Sequence, residues 1–513
     1  MKKAIRALIR TYPVTVFACA LLALLSTSAL ASTHFKVSLD GYAAKGDQPV
    51  SGRLLILMTK SDKPLQIVAP DFTNPNAVYI SGTEISDLAP GKTIDIDADT
   101  LSFPGPFSSA PAGEYQVMLL LDRDHSYTYF NRPDGGDLLS DVQKVTMPAN
   151  ETSLTLSKMI TVPSAEIHPH AKVIHFESPM LSAFWGRPIN MDATVVLPPK
   201  YANLSSTRYP TVYMIHGYGG GYVPSKQAVD GLLAQMQKGE VPEMILVYLN
   251  AHCPMGHHVF ADSVNNGPWG SALVKEFIPY LEKQFRMDAK PSGRFLTGHS
   301  SGGWSTLWVM ISHPDFFGGT WSTSPDPVDF RNFTGPDFTK LPAQNAYFDA
   351  GGKEYNLVRA GNVPLMSVRQ YALQERVLGY YGGQFASFEA VFSPKGPDGQ
   401  PMRVIDRDTG KIEVDVANAW EKYDISRLLR DNWTTLKPKL KGKIHIVVGT
   451  ADTFHLNEAV QLLDTELKKL GSDAKIEYLE GRDHFNLYQG GLRERFFKEM
   501  YAVARPNARA GAK

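Results

Sequence analysis

The stretch GHSSG at residues 298–302 decides how the second half of this 513-residue chain is interpreted. It has the pattern G-x-S-x-G, with the apolar segment RFLT (294–297) before it. The segment GWSTLWVM (303–310), with apolar residues at helical spacing, follows it. In a strand–turn–helix context this pattern is typical of a nucleophile elbow, a sharp turn that exposes the serine hydroxyl. The sequence therefore predicts that Ser300 is a nucleophile at the end of a strand.

A serine hydroxyl is a weak nucleophile near neutral pH, so it needs an adjacent base and an acid that orients the base. In this setting the partners follow the serine in the order acid, then histidine. His484 is the predicted base because it lies between the last strand pattern and the final helix pattern. Asp452 is the predicted acid because it follows a strand pattern and a glycine turn, with Glu458, Asp349 and Asp483 as alternatives.

Two backbone N–H groups are expected to stabilise the oxyanion that develops during acyl transfer. One should belong to Ser301, directly after the nucleophile. The other should come from the glycine-rich loop HGYGGG at 216–221, which follows a predicted strand at Thr211–Ile215. Glycines let the backbone approach a substrate closely, and we assign the second N–H group to Tyr218.

Composition and charge disfavour several other classes of function. The chain has 52 Lys and Arg against 52 Asp and Glu, so its formal net charge is zero. A neutral balance without long single-sign runs gives no indication of nucleic-acid binding or of binding to an anionic membrane. The glycine-rich loop lacks the G-x-x-x-x-G-K-[ST] pattern of a phosphate-binding loop. We therefore predict no cofactor.

A histidine cluster is the one sequence feature that suggests a metal. His252, His257 and His258 lie close together, and Asp262 is near. Histidine clusters bind zinc in many proteins, but no carboxylate at ligand spacing completes a familiar site here. The prediction is therefore that these histidines shape a loop or a pocket wall, and no metal is expected.

The N-terminus has the features of a signal peptide. Basic residues within positions 2–10 precede an apolar run at 14–25, and Ala29-Leu30-Ala31 fits a cleavage site after Ala31. The alternative is an uncleaved anchor. The chain contains two cysteines, Cys19 and Cys253, so the cleaved protein would hold one and form no internal disulfide. These features predict a periplasmic or secreted protein without stable membrane insertion.

Three regions are predicted along the chain. Residues 1–31 form the signal peptide. Residues 32–165 contain short apolar runs and frequent turns, which indicate a β-rich, sandwich-like accessory domain. From 166 to 513, strand and helix patterns alternate, which predicts a mostly parallel sheet with helices on both faces. Within it, residues 331–440 are an insertion, with a helix near Val363–Leu378, that either covers the site or decorates the surface.

The motifs of residues 171–503 resemble those of the putative esterase family of α/β hydrolases. Four motifs carry the resemblance and occur in the same order as in the family: residues 216–220, 298–303, 449–452 and 483–485. The segment 324–330 also resembles the family. It implies an α/β-hydrolase fold, a Ser300–Asp452–His484 triad and an oxyanion hole at Tyr218 and Ser301. The family includes feruloyl and enterochelin esterases, esterase D and mycolyl transferases, so it implies no particular substrate.

The sequence thus predicts an exported serine esterase that acts on a small-molecule or glycan-linked ester. Three alternatives stay open. An acyltransferase or a serine peptidase would use the same machinery. A catalytically silent protein would bind a glycan or a partner through the β-rich domain, because fold alone does not prove activity.

Overall fold

The chain builds two β-sheets, one in each of the regions that the sequence patterns separate. A computed structural model describes residues 32–41, 43, 48–60, 72–149, 151–162, 166–340, 345–379 and 381–507. The predicted signal peptide, its cleavage site after Ala31 and Cys19 lie outside these residues. In the described ranges, no helix combines the length and apolarity needed to cross a membrane.

The described chain contains strands of two to eleven residues, including the predicted strand at Thr211–Ile215. They are β1 (His34–Leu39), β2 (Val50–Thr59), β3 (Val78–Leu88), β4 (Thr93–Asp97), β5 (Ser102–Phe103), β6 (Gly113–Asp122), β7 (Leu138–Ser140), β8 (Gln143–Met147), β9 (Glu151–Met159), β10 (Ala171–Glu177), β11 (Asn190–Val196), β12 (Thr211–Ile215), β13 (Ile245–Leu249), β14 (His252–Cys253), β15 (Gly256–His257), β16 (Asp262–Ser263), β17 (Gly267–Pro268), β18 (Arg294–His299), β19 (Gly319–Thr323), β20 (Asn356–Ala360), β21 (Val363–Ser367), β22 (Ile444–Gly449) and β23 (Lys475–Leu479).

The longer α-helices lie in the second region. The helices are α1 (Tyr127–Phe130), α2 (Pro179–Trp185), α3 (Lys226–Gln237), α4 (Trp269–Ala272), α5 (Ile278–Gln284), α6 (Ser301–Ser312), α7 (Val368–Leu378), α8 (Gln384–Phe392), α9 (Val414–Trp420), α10 (Ile425–Leu440), α11 (Leu456–Lys469) and α12 (Leu492–Ala504). A π-helical turn, Leu273–Phe277, joins α4 to α5.

Among the described residues of the first region, nine strands form one hydrogen-bonded sheet, in the order β4-β1-β9-β7-β6-β2-β3-β5 with β8 beside β6. Successive side chains of a strand point to opposite faces. Accordingly, Leu54 and Ile56 of β2 enter one apolar core, while Leu55 and Leu57 enter another. The second core also contains Val377 from α7, so the β-rich region packs against the predicted insertion.

The second sheet has the order β10-β11-β13-β12-β18-β19-β22-β23 within the described chain. The pairs from β13 to β23 are parallel, whereas β10 with β11 and β11 with β13 are antiparallel. Phe295 of β18 packs in a core with α3 and α12, while Leu296 packs in a core with α6 and α11. Helices therefore cover both faces, which confirms the predicted α/β-hydrolase fold and explains the continuous apolar runs.

One predicted helix begins later than its pattern indicated. The segment predicted as a helix over Val363–Leu378 contains strand β21 first, and helix α7 begins only at Val368. Ser367 caps this helix, since its hydroxyl accepts the N–H of Gln370 and the Gln370 side chain returns to the Ser367 N–H. This capping box fixes the boundary, because it satisfies N–H groups that the first helical turn leaves unpaired.

Candidate active site

Ser300 stands in the turn between β18 and α6, in a backbone conformation with φ 59° and ψ −124°. Such a conformation is strained for a residue with a side chain, so neighbouring atoms must hold it. A Cβ atom at Gly302 would overlap the carbonyl oxygen of Ile215, and one at Gly298 would overlap the carbonyl oxygen of Gly302. The two glycines therefore let strand β12 and helix α6 close on the turn, and the predicted strand–turn–helix around Ser300 is present.

Asp452 and His484 form a buried pair. Nδ1 of His484 lies 3.0 Å from Oδ2 of Asp452, and the carboxyl group is fully buried. The other oxygen, Oδ1, accepts the N–H groups of Phe454 and Leu456 at 3.0 and 3.3 Å. Burial alone would raise the pKa of Asp452, but the charge and hydrogen bond of His484 and the Phe454 N–H lower it below its usual value. An ionised Asp452 holds a proton on Nδ1, which leaves Nε2 to accept one.

The alternative acids are engaged elsewhere. Oε1 of Glu458 forms a hydrogen bond with Nδ1 of His455, at 2.9 Å. Asp349 accepts backbone N–H groups of its own turn. Asp483 accepts the N–H of Phe485 at 2.9 Å and so shapes the loop that carries the predicted base. Among these candidates, only Asp452 is bonded to that base.

Ser300 and His484 line the same cavity of about 330 Å³. Eight phenylalanine and tyrosine residues line its wall, and four of them come from the predicted insertion. The described residues that line it are Phe72, Gly217, Tyr218, Gly220, His299, Ser300, Asp326, Pro327, Phe333, Thr334, Leu357, Tyr371, Gln384, Phe385, Phe388, Phe454, Leu456, His484 and Phe485. Seven of these lining residues lie within 331–440, so this segment contributes to the cavity wall.

The two predicted oxyanion donors flank the serine. A Cβ atom at Gly217 would come within 3.2 Å of the Ser300 Cβ, so the peptide that carries the Tyr218 N–H lies against the nucleophile. The Tyr218 hydroxyl oxygen lies 2.8 Å from the Thr128 carbonyl oxygen and 2.6 Å from that of Gly382, and its single proton is placed to donate to either, which holds this loop against the β-rich region and the insertion. Ser301 begins α6, and the first N–H groups of a helix have no partner within it. Both N–H groups can therefore serve a bound oxyanion.

Asp326 is a site residue that the sequence analysis did not single out. It follows β19, is 3% exposed and lies on the cavity wall. Its Oδ1 accepts the Ser300 hydroxyl at 3.3 Å, and its Oδ2 accepts the Ser301 hydroxyl at 2.5 Å. Burial raises its pKa to about 6. The signal that could have found it is its position, because polar residues just after parallel strands gather at one sheet edge.

The histidine cluster is held by the backbone. His257 Nε2 bonds the carbonyl of His216 at 2.9 Å, and its Nδ1 accepts the N–H of Val259 at 3.1 Å. His258 is fully buried and stacks on Trp269. These contacts give the cluster a part in the loop beside the site, as predicted.

Two other reactive groups in the described chain lie apart from this cavity. In the β-rich region, the carboxylates of Asp122, Asp124 and Asp137 form a cluster with the spacing of a metal site. Cys253 is buried, and burial raises the pKa of its thiol to about 12. A thiol of such high pKa is a poor nucleophile.

The strand order, the serine in the elbow and the buried Asp–His pair define the class of α/β hydrolases. Residues 187–500, more than half of the chain, match the family model described as "Putative esterase". The chain therefore belongs to this family.

Curated relatives match over shorter stretches. Esterase Rv1288 of Mycobacterium tuberculosis is 26% identical over 163 residues, which are 32% of this chain and 35% of the relative. Uncharacterized protein YbbA of Bacillus subtilis is 25% identical over 146 residues, which are 26% of this chain and 56% of the relative. The matched part therefore spans about a third to a half of these relatives' length.

Solved structures resemble the chain at lower identity. A ferulic acid esterase is 15% identical, with a TM-score of 0.41, and the match covers 66% of this chain and 100% of that one. An S-formylglutathione hydrolase from Staphylococcus aureus is 14% identical, with a TM-score of 0.40, and the match covers 64% and 98%.

Proposed function

We propose that the chain is an exported serine esterase that cleaves a carboxylic ester through an acyl-enzyme. The observation that carries the proposal is the buried Asp452–His484 pair, whose histidine lines the same cavity as Ser300 in its elbow. An oriented imidazole within reach of a serine is the requirement for activating a hydroxyl near neutral pH.

The proposed reaction has two halves. The Ser300 Oγ attacks the ester carbonyl while His484 Nε2 takes its proton, and the N–H groups of Tyr218 and Ser301 stabilise the oxyanion. Collapse breaks the bond to the alcohol, which leaves with the proton from His484. Water then attacks the acyl-enzyme, giving its proton to His484, and Ser300 regains a proton as the acid departs. Asp452 stabilises the imidazolium and stays ionised throughout.

The Ser300 hydroxyl donates to Asp326 in this structure, so it must turn towards His484 for this reaction. Hydrogen bonds in unliganded active sites are often not aligned for catalysis, so the rotamer is compatible with the proposal. A small-molecule ester fits a cavity of about 330 Å³, and a glycan could carry the ester outside it.

The remaining parts of the proposal concern export and organisation. We propose a signal peptide cleaved after Ala31, a periplasmic or secreted location, an accessory β-rich domain over 32–165 and a hydrolase domain over 166–513. These rest on the N-terminal pattern and on the change of periodicity along the chain.

The test uses the full chain from residue 32 and the variant Ser300→Ala. Both are assayed against aryl esters of increasing acyl length, and a fluorophosphonate probe is mapped by peptide mass spectrometry. We expect hydrolysis by the wild type, loss of about 10³-fold or more in the variant, and labelling at Ser300. Equal rates in both proteins, or labelling at another residue, would contradict the proposal.

The same assay separates the alternatives. Transfer of the acyl group to an added alcohol in preference to water indicates an acyltransferase. Cleavage of matched anilides at a comparable rate indicates a peptidase. Absence of any Ser300-dependent reaction leaves the silent binding protein.

A further inference from the structure

The wall of the catalytic cavity has one feature that the proposed reaction does not use. Among the described residues that line it, Asp326 is the only carboxylate, and none is a lysine or an arginine. His299 also lines the cavity, but burial lowers its pKa to about 3, so it is neutral. An otherwise aromatic cavity therefore presents a single acidic group, directly beside the nucleophile.

Asp326 is held in a fixed position by contacts around the elbow. Its backbone N–H donates to the Ser300 carbonyl at 3.2 Å, and its Oδ2 accepts the Ser301 hydroxyl and the Gln384 amide at 2.5 and 3.4 Å. Oδ1 faces the Ser300 hydroxyl at 3.3 Å. When Ser300 turns to attack, Oδ1 loses this donor while Oδ2 keeps its own, and a buried carboxylate oxygen without a donor is costly.

We propose that Asp326 determines specificity by accepting a hydrogen bond from a hydroxyl or ammonium group on the acyl carbon next to the scissile carbonyl. The inference rests on the proposed esterase function of the same site. In the tetrahedral intermediate a substituent on that carbon is three bonds from Oγ, so it lies near any group that touches Oγ. The acyl group stays bonded to Oγ through both halves of the reaction, whereas the alcohol departs in the first half with the proton from His484. The group that Asp326 contacts therefore belongs to the acyl part of the substrate.

Charge gives the proposal a second consequence. An acyl group with a carboxylate in the same place would bring two negative charges together in a water-poor cavity without a nearby lysine or arginine among the described lining residues. Like charges at short range in a low-dielectric site repel strongly. The site should therefore accept neutral donors and cations and reject anions.

The experiment compares four phenyl esters whose acyl groups differ at one position: propionate, lactate, alanine and the half-ester of methylmalonate. Their substituents are hydrogen, hydroxyl, ammonium and carboxylate. Phenol release gives kcat/KM for each, divided by the rate of hydroxide-catalysed hydrolysis to remove intrinsic reactivity. The proteins are the wild type, Asp326→Asn, Asp326→Ser and the control Asp415→Asn, which changes an exposed acid on α9.

We expect the wild type and Asp415→Asn to favour the lactate or the alanine ester over propionate by about 10-fold or more, and to disfavour methylmalonate. The better of the two donors identifies whether a hydroxyl or an ammonium group is bound. Both Asp326 variants should bring the four corrected rates within about threefold of each other, because the charged acceptor is gone.

Ratios between substrates do not depend on the folded fraction of a preparation, so a poorly folding variant still gives an answer. The inference is overturned if the wild type hydrolyses propionate with a flat profile, or if its preference persists in both Asp326 variants. The proposed function fails separately, if Ser300→Ala hydrolyses propionate as fast as the wild type does.

Discussion

Replacing Arg359 tests whether the insertion holds Asp452, the proposed catalytic acid, in place. Arg359 lies on β20, and its guanidinium reaches into the loop that follows β22. Nε donates to the carbonyl of Asp452 at 2.9 Å, and Nη2 donates to Oδ1 of Asn457 at 3.0 Å. The Arg359 backbone N–H adds a bond to the Thr453 carbonyl at 2.9 Å. The side chain and the backbone of Arg359 therefore both bond the insertion to the loop that carries Asp452.

The expected magnitude follows from the bonds that Arg359→Ala removes. Two bonds from a charged donor contribute about 1.5 kcal/mol each at the lower end of the usual range, which suits a partly exposed guanidinium. The backbone bond survives, so the loop loosens without detaching. Asp452 keeps its carboxylate, but a less fixed loop orients His484 less well. We expect kcat to fall by roughly 10- to 100-fold with a small change in KM.

The assay measures kcat and KM for a good ester over pH 5 to 9, together with the melting temperature, in Arg359→Ala and Arg359→Lys. Arg369→Ala is the matched control, since Arg369 belongs to the same insertion and forms an exposed ion pair with Glu354 at 3.4 Å. Such a pair contributes about 0–1 kcal/mol, so the control should behave as the wild type. Arg359→Lys keeps the positive charge but lacks the planar guanidinium group, so we expect it to retain part of the wild-type activity.

The reasoning is refuted if Arg359→Ala retains kcat within about twofold of the wild type while its melting temperature falls. That result would mean that the Phe454 and Leu456 N–H bonds suffice to fix Asp452. An equal loss in Arg369→Ala would instead indicate a general weakening of the insertion.

Three further predictions use other parts of the site. Asp452→Asn should lower kcat by about 10³-fold or more with little change in KM, because the amide no longer enforces the imidazole tautomer, whereas Asp483→Asn should stay within about threefold. Gly302→Ala should abolish esterase activity and lower the melting temperature, since its Cβ would overlap the Ile215 carbonyl; Gly231→Ala, whose Cβ would meet open space on α3, should gain about 0.5–1 kcal/mol of stability. Burial raises the pKa of Asp326 to about 6, so the folded state binds more protons than the unfolded state between about pH 4 and 6. The unfolding free energy of the wild type, relative to Asp326→Asn, should therefore fall by roughly 2–3 kcal/mol from pH 4 to pH 7 in urea titrations, and a constant difference would contradict this assignment.

Local patterns were enough to predict a β-rich region, an α/β region and the helices α6 and α12, but they did not predict α3, α8, α9 or α10. The run Ile245–Leu249 is apolar without interruption because helices cover both faces of β13, as is typical of a strand in a parallel sheet. The start of α7 was missed because β21 and α7 are both amphipathic over a few residues, and only the capping box at Ser367 separates them. Short apolar runs do not distinguish strand from helix by period.

The sequence by itself predicted the α/β-hydrolase fold and the positions of Ser300, Asp452 and His484 after the strands now numbered β18, β22 and β23, because turn chemistry and apolar strand patterns are local properties. Only the tertiary structure decided what surrounds the nucleophile. Phe72, Phe388 and Ser300 line the same cavity, although Phe72 lies hundreds of residues before the other two in the sequence. Asp326 and Arg359 make their contacts because packing brings distant segments together. Such contacts depend on how whole elements are placed, and no spacing along the chain encodes that placement. The elbow at 298–302 could therefore be predicted from the sequence, whereas the shape and charge of the cavity that it faces could not.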